Sequence, residues 1–174
     1  MAGQGRISLL IDSPFRDLLL ALRAVPAETR KHVTAHMRRA AEPVWFEEVR
    51  DRAATRQQQR VLVNSARVGV ATRNVYLRSG GVGKLSSGTA VSTLGMGAEF
   101  GVNPNKLQKV AAHSRRGGTV KAHTRKIGGR LPAVRRGGYV VYNAARDAIP
   151  RIASVVIQSS RRALFDGMDG KKGS

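Results

Sequence analysis

Cysteine is absent from the 174 residues. That excludes a disulfide framework, thiolate zinc sites and a cysteine nucleophile. Aromatic residues are scarce, at 5%, which leaves little material for stacking on unpaired bases. No long apolar run is present either. The stretch Ile7–Ile11 stops at Asp12 and is too short for a signal peptide or a membrane span. Acidic side chains are also few, 11 against 31 Lys and Arg. What remains is a chain that is 41% apolar, enough for the modest core of one domain.

The distribution of charge says more than its total. Residues 1–51 hold 8 basic and 7 acidic side chains, and residues 147–174 hold 5 and 3. Between them, residues 52–146 hold 18 basic side chains and a single acid, Glu99. The ends read as ordinary globular sequence and the middle as a basic block. Such a block faces polyanion or an acidic protein surface.

Periodicity divides the chain as follows. Arg6–Asp12 reads as a short strand. Asp12-Ser13-Pro14 reads as a helix start, and Phe15, Leu18, Leu19, Leu22 and Val25 give that helix its apolar face. A second helix is predicted over Ala27–Ala54, with Val33, Met37, Ala40, Ala41, Val44, Trp45 and Val49 buried. Pro43 should kink or break it near Ala41-Glu42. From Val61 to Leu77 the alternation Val61, Val63, Val68, Val70, Val75, Leu77 is a strand pattern, turning near Thr72–Asn74. Ser79–Gly88 reads as a flexible loop. Thr89–Leu94 and Ala98–Val102 read as further strands. Lys106–His113 and Thr119–Ile127 flank Arg116-Gly117-Gly118, and suit either an extended hairpin or a mobile arm. Tyr139–Tyr142 reads as a short strand. A last helix is predicted over Ala144–Phe165, capped by Asn143 or Asp147, with Pro150 in its first turn. No internal repeat is evident. The division is a single domain over residues 1–165, with 103–138 a basic insertion and 166–174 a disordered polar tail.

Motifs for chemistry are weak. Gly80-Gly81-Val82-Gly83-Lys84 lacks the leading Gly and the trailing Ser or Thr of a phosphate loop, because Arg78 and Leu85 stand there. Gly95-Met96-Gly97 would need a third glycine where Phe100 is. His32 and His36 lie one helical turn apart, but Val33 replaces the zincin Glu and no third ligand follows. The neighbourhood of His113 and His123 has no carboxylate for a hydrolytic triad. No catalytic residue, metal or cofactor is therefore expected, and no enzymatic activity.

The basic block is the candidate site. From Gly101 to Arg146 it carries Lys106, Lys109, Arg115, Arg116, Lys121, Arg125, Lys126, Arg130, Arg135, Arg136 and Arg146 with no acid. Like charges at this density repel unless something opposes them. Phosphate contacts without base readout would do so. Docking on an acidic neighbouring subunit would as well.

The order of elements, together with Gly97-Ala98-Glu99-Phe100-Gly101, resembles the tail-completion or minor tail-component family of long-tailed bacteriophages, the proteins of the neck that join head to tail. The hydrophobic-x-Glu-Phe-Gly signature of that family maps to Ala98–Gly101. Its closing segment maps to Tyr139–Phe165, especially Asn143-Ala144-Ala145-Arg146-Asp147-Ala148-Ile149-Pro150. Variants from actinobacteriophages carry a basic insertion ending in Arg-x-Leu-Pro; here Arg130-Leu131-Pro132 has Arg and Leu adjacent. The family's Pro-x-x-Thr-Gly-x-Leu-Arg stretch is missing, and Gln57–Arg67 and Leu77-Arg78-Ser79 stand in its place.

The resemblance implies an α+β fold: a small curved antiparallel sheet packed by the long N-terminal helix and the C-terminal helix, with the basic loop or hairpin as an arm. It implies a structural virion protein, assembled in the host cytoplasm into a ring, commonly hexameric, around the DNA channel. Its partners would be further copies, connector or stopper proteins, and tail-terminator or tail-tube proteins. Genomic DNA would pass through without sequence-specific contact, and no membrane is involved. Glu99, Phe100 and Gly101 would lie at the subunit interface. Glu99, alone in a positive field, should pair with an arginine, and the arm should reach a protein neighbour. The competing reading is a basic nucleic-acid-binding protein of ribosomal or nucleoid type, which explains the charge directly but not the long amphipathic helices.

Overall fold

A computed structural model describes residues 7–11, 20, 23–24, 26–71, 74–105, 107–115, 117–126 and 131–169. The fold is α+β. Strand β1 (Ile7–Ile11) is followed by helix α1 (Ala27–Arg52), the short helix α2 (Arg56–Gln58) and a π-helical turn over Gln59–Val63. Strands β2 (Arg67–Val70) and β3 (Val75–Ser79) come next, then helix α3 (Val91–Phe100). Four short strands follow: β4 (Leu107–Val110), β5 (His113–Arg115), β6 (Gly118–Val120) and β7 (His123–Lys126). Helix α4 (Val141–Asp169) closes the described chain.

Helix α1 forms because Val33, Met37, Ala41, Trp45 and Val49 recur at every fourth position, and all five are fully buried. That stripe continues on both sides of Pro43, so the helix runs through the proline unbroken. The Trp45 indole N–H donates to the carbonyl of Arg78 at 3.1 Å. A buried indole thus finds its partner and fixes α1 on the central strand. That strand is β3, flanked antiparallel by β1 and β2. Leu77 faces Leu9 on one side and Val68 on the other.

Helix α4 lies along α1. Val141, Ala144, Ala145, Ala148, Ile152, Val156 and Ser160 are buried on it, and the small residues near its start let the two helices approach closely. Charge locks the same contact. Arg151 donates to Glu48 and, at 3.1 Å, to Glu47, while Arg52 bridges Glu48 and Asp147. The carboxylate of Glu48, then that of Glu47, raises the Arg151 guanidinium above its ordinary value.

Several expectations need correction. Val61 and Val63 do not lie on a strand. A strand would send Leu62 to the opposite face, whereas Val61, Leu62 and Val63 are all buried, and the wider π-turn turns all three inward. The strands expected at Thr89–Leu94 and Ala98–Val102 are one helix, α3. Its buried residues Val91, Gly95, Ala98 and Glu99 recur at helical spacing. The strand expected at Tyr139–Tyr142 is the entry to α4, which begins at Val141. Pro150 consequently falls inside α4 rather than in its first turn. The helix extends to Asp169, so residues 166–169 belong to it.

Of the two alternatives left open for the basic insertion, hairpin or mobile arm, the described residues Leu107–Arg115 and Gly118–Lys126 form antiparallel pairs. The helix expected over Phe15–Val25 lies outside the described residues, apart from Leu20, Arg23 and Ala24. The same holds for Thr72 and Arg73 in the expected turn and for residues 170–174. Among the described residues, no helix is long and apolar enough to cross a membrane.

Candidate functional site

The signature residue Glu99 sits in the last turn of α3 and is fully buried. Its carboxylate takes the first amides of α4. Val140 and Val141 donate to Oε2 at 3.0 and 2.8 Å, and Tyr142 donates to Oε1 at 3.1 Å. Its backbone carbonyl accepts from the amide of Tyr139 at 2.9 Å. The first amides of a helix have no partner within the helix and carry a partial positive charge. An anion there meets donors already aimed at it. Glu99 therefore serves as the cap of α4 from some forty residues upstream, a role that Asn143 and Asp147 were expected to fill.

The expected arginine partner of Glu99 is not what the structure shows. The amides and dipole of α4 hold the carboxylate instead. Glycine makes the approach possible. Gly138 has φ +70°, and a Cβ there would stand 2.2 Å from Oε1 of Glu99. Gly101 ends α3 with φ +76°, and a Cβ there would stand 1.8 Å from the carbonyl oxygen of Ala133.

The same joint clamps the root of the basic insertion. Outgoing Val102 donates to the carbonyl of Pro132 at 2.9 Å, and returning Arg135 donates to that of Phe100 at 2.8 Å. Phe100 is half-buried, with its ring 5.5 Å from that of exposed Tyr142. Gly101 is half-buried too. Of the three residues expected at a subunit interface, Phe100 and Gly101 keep surface, and Glu99 lies inside the single chain.

Beyond the root the insertion is a two-stranded ribbon. β4 pairs with β7 from Leu107↔Lys126 to Val110↔His123, and β5 pairs with β6 from His113↔Val120 to Arg115↔Gly118, with Ala111-Ala112 and Lys121-Ala122 outside the ladders. At 3.3 Å per residue, Leu107 to Arg115 spans at most about 26 Å. Lys109, Lys121, Arg125 and Lys126 are exposed on it, and so are Ala111–Ser114 and Gly117–Thr119. Arg115 stands opposite Gly118. Arg135 and Arg136 are exposed at the root, with the Arg135 guanidinium 5.2 Å from the centre of the Tyr139 ring. Arg146 is exposed on α4. Lys106, Arg116 and Arg130 lie outside the described residues.

The ribbon carries a repeat that charge counting overlooks. Val110-Ala111-Ala112-His113-Ser114-Arg115-Arg116 is matched ten residues later by Val120-Lys121-Ala122-His123-Thr124-Arg125-Lys126. The two copies also fold alike. Nδ1 of His113 bonds the carbonyl of Ala111 at 3.1 Å, and Nδ1 of His123 bonds the carbonyl of Lys121 at 3.1 Å. A carbonyl only accepts, so Nδ1 is the protonated nitrogen in both.

Among the described residues, two open grooves lie on the remaining surface. One open groove is lined by Arg39, Pro43, Phe46 and Arg67, another by Arg60, Asn64, Lys84 and Leu85. His32 and His36 are exposed on α1. Among the described residues, no group of three His or carboxylate side chains is placed to hold a metal. No protein-family model matches the chain, and no curated protein or solved structure is significantly similar to it.

Proposed function

We propose that this chain is a structural assembly protein of the head–tail interface of a long-tailed phage. In this reading it is a neck or tail-completion component that forms a ring around the DNA channel and joins connector to tail. One observation carries the reading. The two segments on which the resemblance rests, Ala98–Gly101 and Tyr139–Phe165, meet in a single joint, where the Glu99 carboxylate caps α4. A signature of this kind then has a physical reason. Glutamate supplies the anion, and the glycine after Phe100 supplies the tight exit that lets the chain leave for the arm and return.

The role is non-enzymatic and needs no cofactor. Half-buried Phe100 and Gly101, together with exposed Tyr142, give the joint a surface for a neighbouring copy. Connector and tail proteins are the further partners, and the virion neck is the location. The test is antibody labelling of particles of the phage that encodes the chain. Label confined to the head–tail junction is the expected result. Purified particles that lack the chain would overturn the proposal.

A further inference from the structure

Two segments outside the joint at Glu99 meet at an open groove of about 300 Å³. One is the π-helical turn over Gln59–Val63. Val61, Leu62 and Val63 turn inward there, which leaves Arg60 and Asn64 exposed together, one turn apart. The amide of Asn64 reaches back to the carbonyl of Gln59 at 3.1 Å and closes the wide turn. Turns of this kind are rare and occur often at functional sites. The other segment is the loop from Val82 to Val91. Lys84 pairs with Ala90 in an antiparallel bridge, Leu85 donates to the carbonyl of Thr89 at 2.9 Å, and Val91 donates to that of Gly83 at 3.0 Å. These bonds tie the loop, with Lys84 and Ser86 on it, to the start of α3.

We propose that this groove binds a small phosphate monoester, of the size of a sugar phosphate. Its polar lining is Arg60, Asn64, Lys84 and Ser86, two cations and two neutral groups that donate hydrogen bonds. Among the described residues, none of these four side chains has a hydrogen-bond partner or an ion pair. No carboxylate lines the groove, and residues 52–98 contain no acid. The lining therefore holds two uncompensated positive charges, which repel metal cations and attract an anion.

The donor set selects among anions. A phosphate monoester carries a charge of about −2 at neutral pH and three acceptor oxygens. Two cations and two neutral donors match both. A carboxylate brings one charge and two oxygens, which leaves one cation without a partner. Val82, Leu85 and Val91 supply an apolar wall for the organic part of the ester. The volume is at the small end of ligand sites, and no aromatic residue lines it to stack on a base. A sugar phosphate therefore suits the space better than a nucleotide. The arrangement also differs from a nucleotide phosphate loop, whose Lys opens the following helix; here α3 begins only at Val91. One chain builds the whole groove, so its occupancy is independent of ring formation and of the basic ribbon.

The test is a titration of nuclease-treated, isotope-labelled protein with ribose 5-phosphate at fixed ionic strength, followed by amide NMR shifts. Saturating shifts should centre on Arg60, Asn64 and the amides from Gly83 to Ser86. Ribose alone should not move them, and acetate should bind about tenfold or more weakly. Arg60→Gln and Lys84→Gln should each weaken binding about tenfold. Arg60→Lys should lose less than Arg60→Gln, which separates lost charge from lost folding. The Lys109→Gln/Lys121→Gln control removes two exposed charges from the ribbon and should leave the affinity unchanged. Absence of saturating shifts, or shifts confined to the ribbon, would overturn the proposal. So would acetate binding as tightly as ribose 5-phosphate, or equal losses in the groove and ribbon variants.

Discussion

Replacing Glu99 tests the joint where α3, the arm and α4 meet. Alanine at this position leaves the amides of Val140 and Val141 without acceptors, and both residues are buried. An unpartnered buried donor costs about 1–3 kcal/mol. The Tyr142 amide belongs to an exposed residue, and water can replace its partner. Losing the anion at the helix N-terminus adds about 0.3–1 kcal/mol. Relief from burying a carboxylate works the other way. The net expectation for Glu99→Ala is a loss of about 3–4 kcal/mol. Glutamine keeps one oxygen for the Val140 and Val141 amides and turns an NH₂ toward Tyr142, so Glu99→Gln should lose only about 1–2 kcal/mol.

Trp45, the single tryptophan and fully buried, reports unfolding in urea by its fluorescence. With a slope of about 2 kcal/mol/M, the alanine midpoint should fall by about 1.5–2 M and the glutamine midpoint by less than about 1 M. An alanine variant within about 0.5 kcal/mol of the parent would refute the capping role, as would a glutamine variant less stable than alanine.

Gly138→Ala forces a Cβ to within 2.2 Å of Glu99 Oε1 at φ +70°. It should cost about 2–4 kcal/mol, lowering the melting temperature by about 5–12 °C. The cost should shrink by at least about 1 kcal/mol in a Glu99→Ala background, where the clash is gone. Glu48 binds Arg52 and Arg151 with its side chain 10% exposed, against 48% for Glu47. Urea unfolding should show Glu48→Ala less stable by about 1–2 kcal/mol and Glu47→Ala within about 0.5 kcal/mol of the parent. Trp45→Phe removes the indole donor to Arg78 and some core volume; circular dichroism melts should show a loss of about 2–3 kcal/mol.

The parts legible in the sequence are those whose signals are local. Val33 to Val49 announce α1 through their spacing. Val68, Val70, Val75 and Leu77 alternate and form β2 and β3 as expected. Gly117-Gly118, which take φ +96° and +157°, mark a turn, but the weakly apolar runs beside them leave hairpin and mobile arm equally open in the sequence. The parts that were missed depend on distant partners. Gly95 and Gly97 each disfavour a helix by about 1 kcal/mol. Yet α3 forms because its small residues admit close neighbours, as where a Cβ on Gly80 would touch Cα of Gly95 at 3.0 Å. The start of α4 was misplaced because its cap lies on α3, beyond any local window. Glu99 stood out as the lone acid of its block, but composition suggested a cationic side chain as its partner, when helix amides were available. The ribbon repeat is inconspicuous in the sequence because three of its seven positions differ: Ala111 against Lys121, Ser114 against Thr124, and Arg116 against Lys126.

Assembly is decided by mass and shape in solution. Light scattering with negative-stain imaging, at low and high salt after nuclease treatment, measures both. Annular particles of fixed subunit number, six being the expected count, would bear out the joining role. A chain that stays monomeric or dimeric at every salt concentration, and also when mixed with connector and tail proteins, would contradict it.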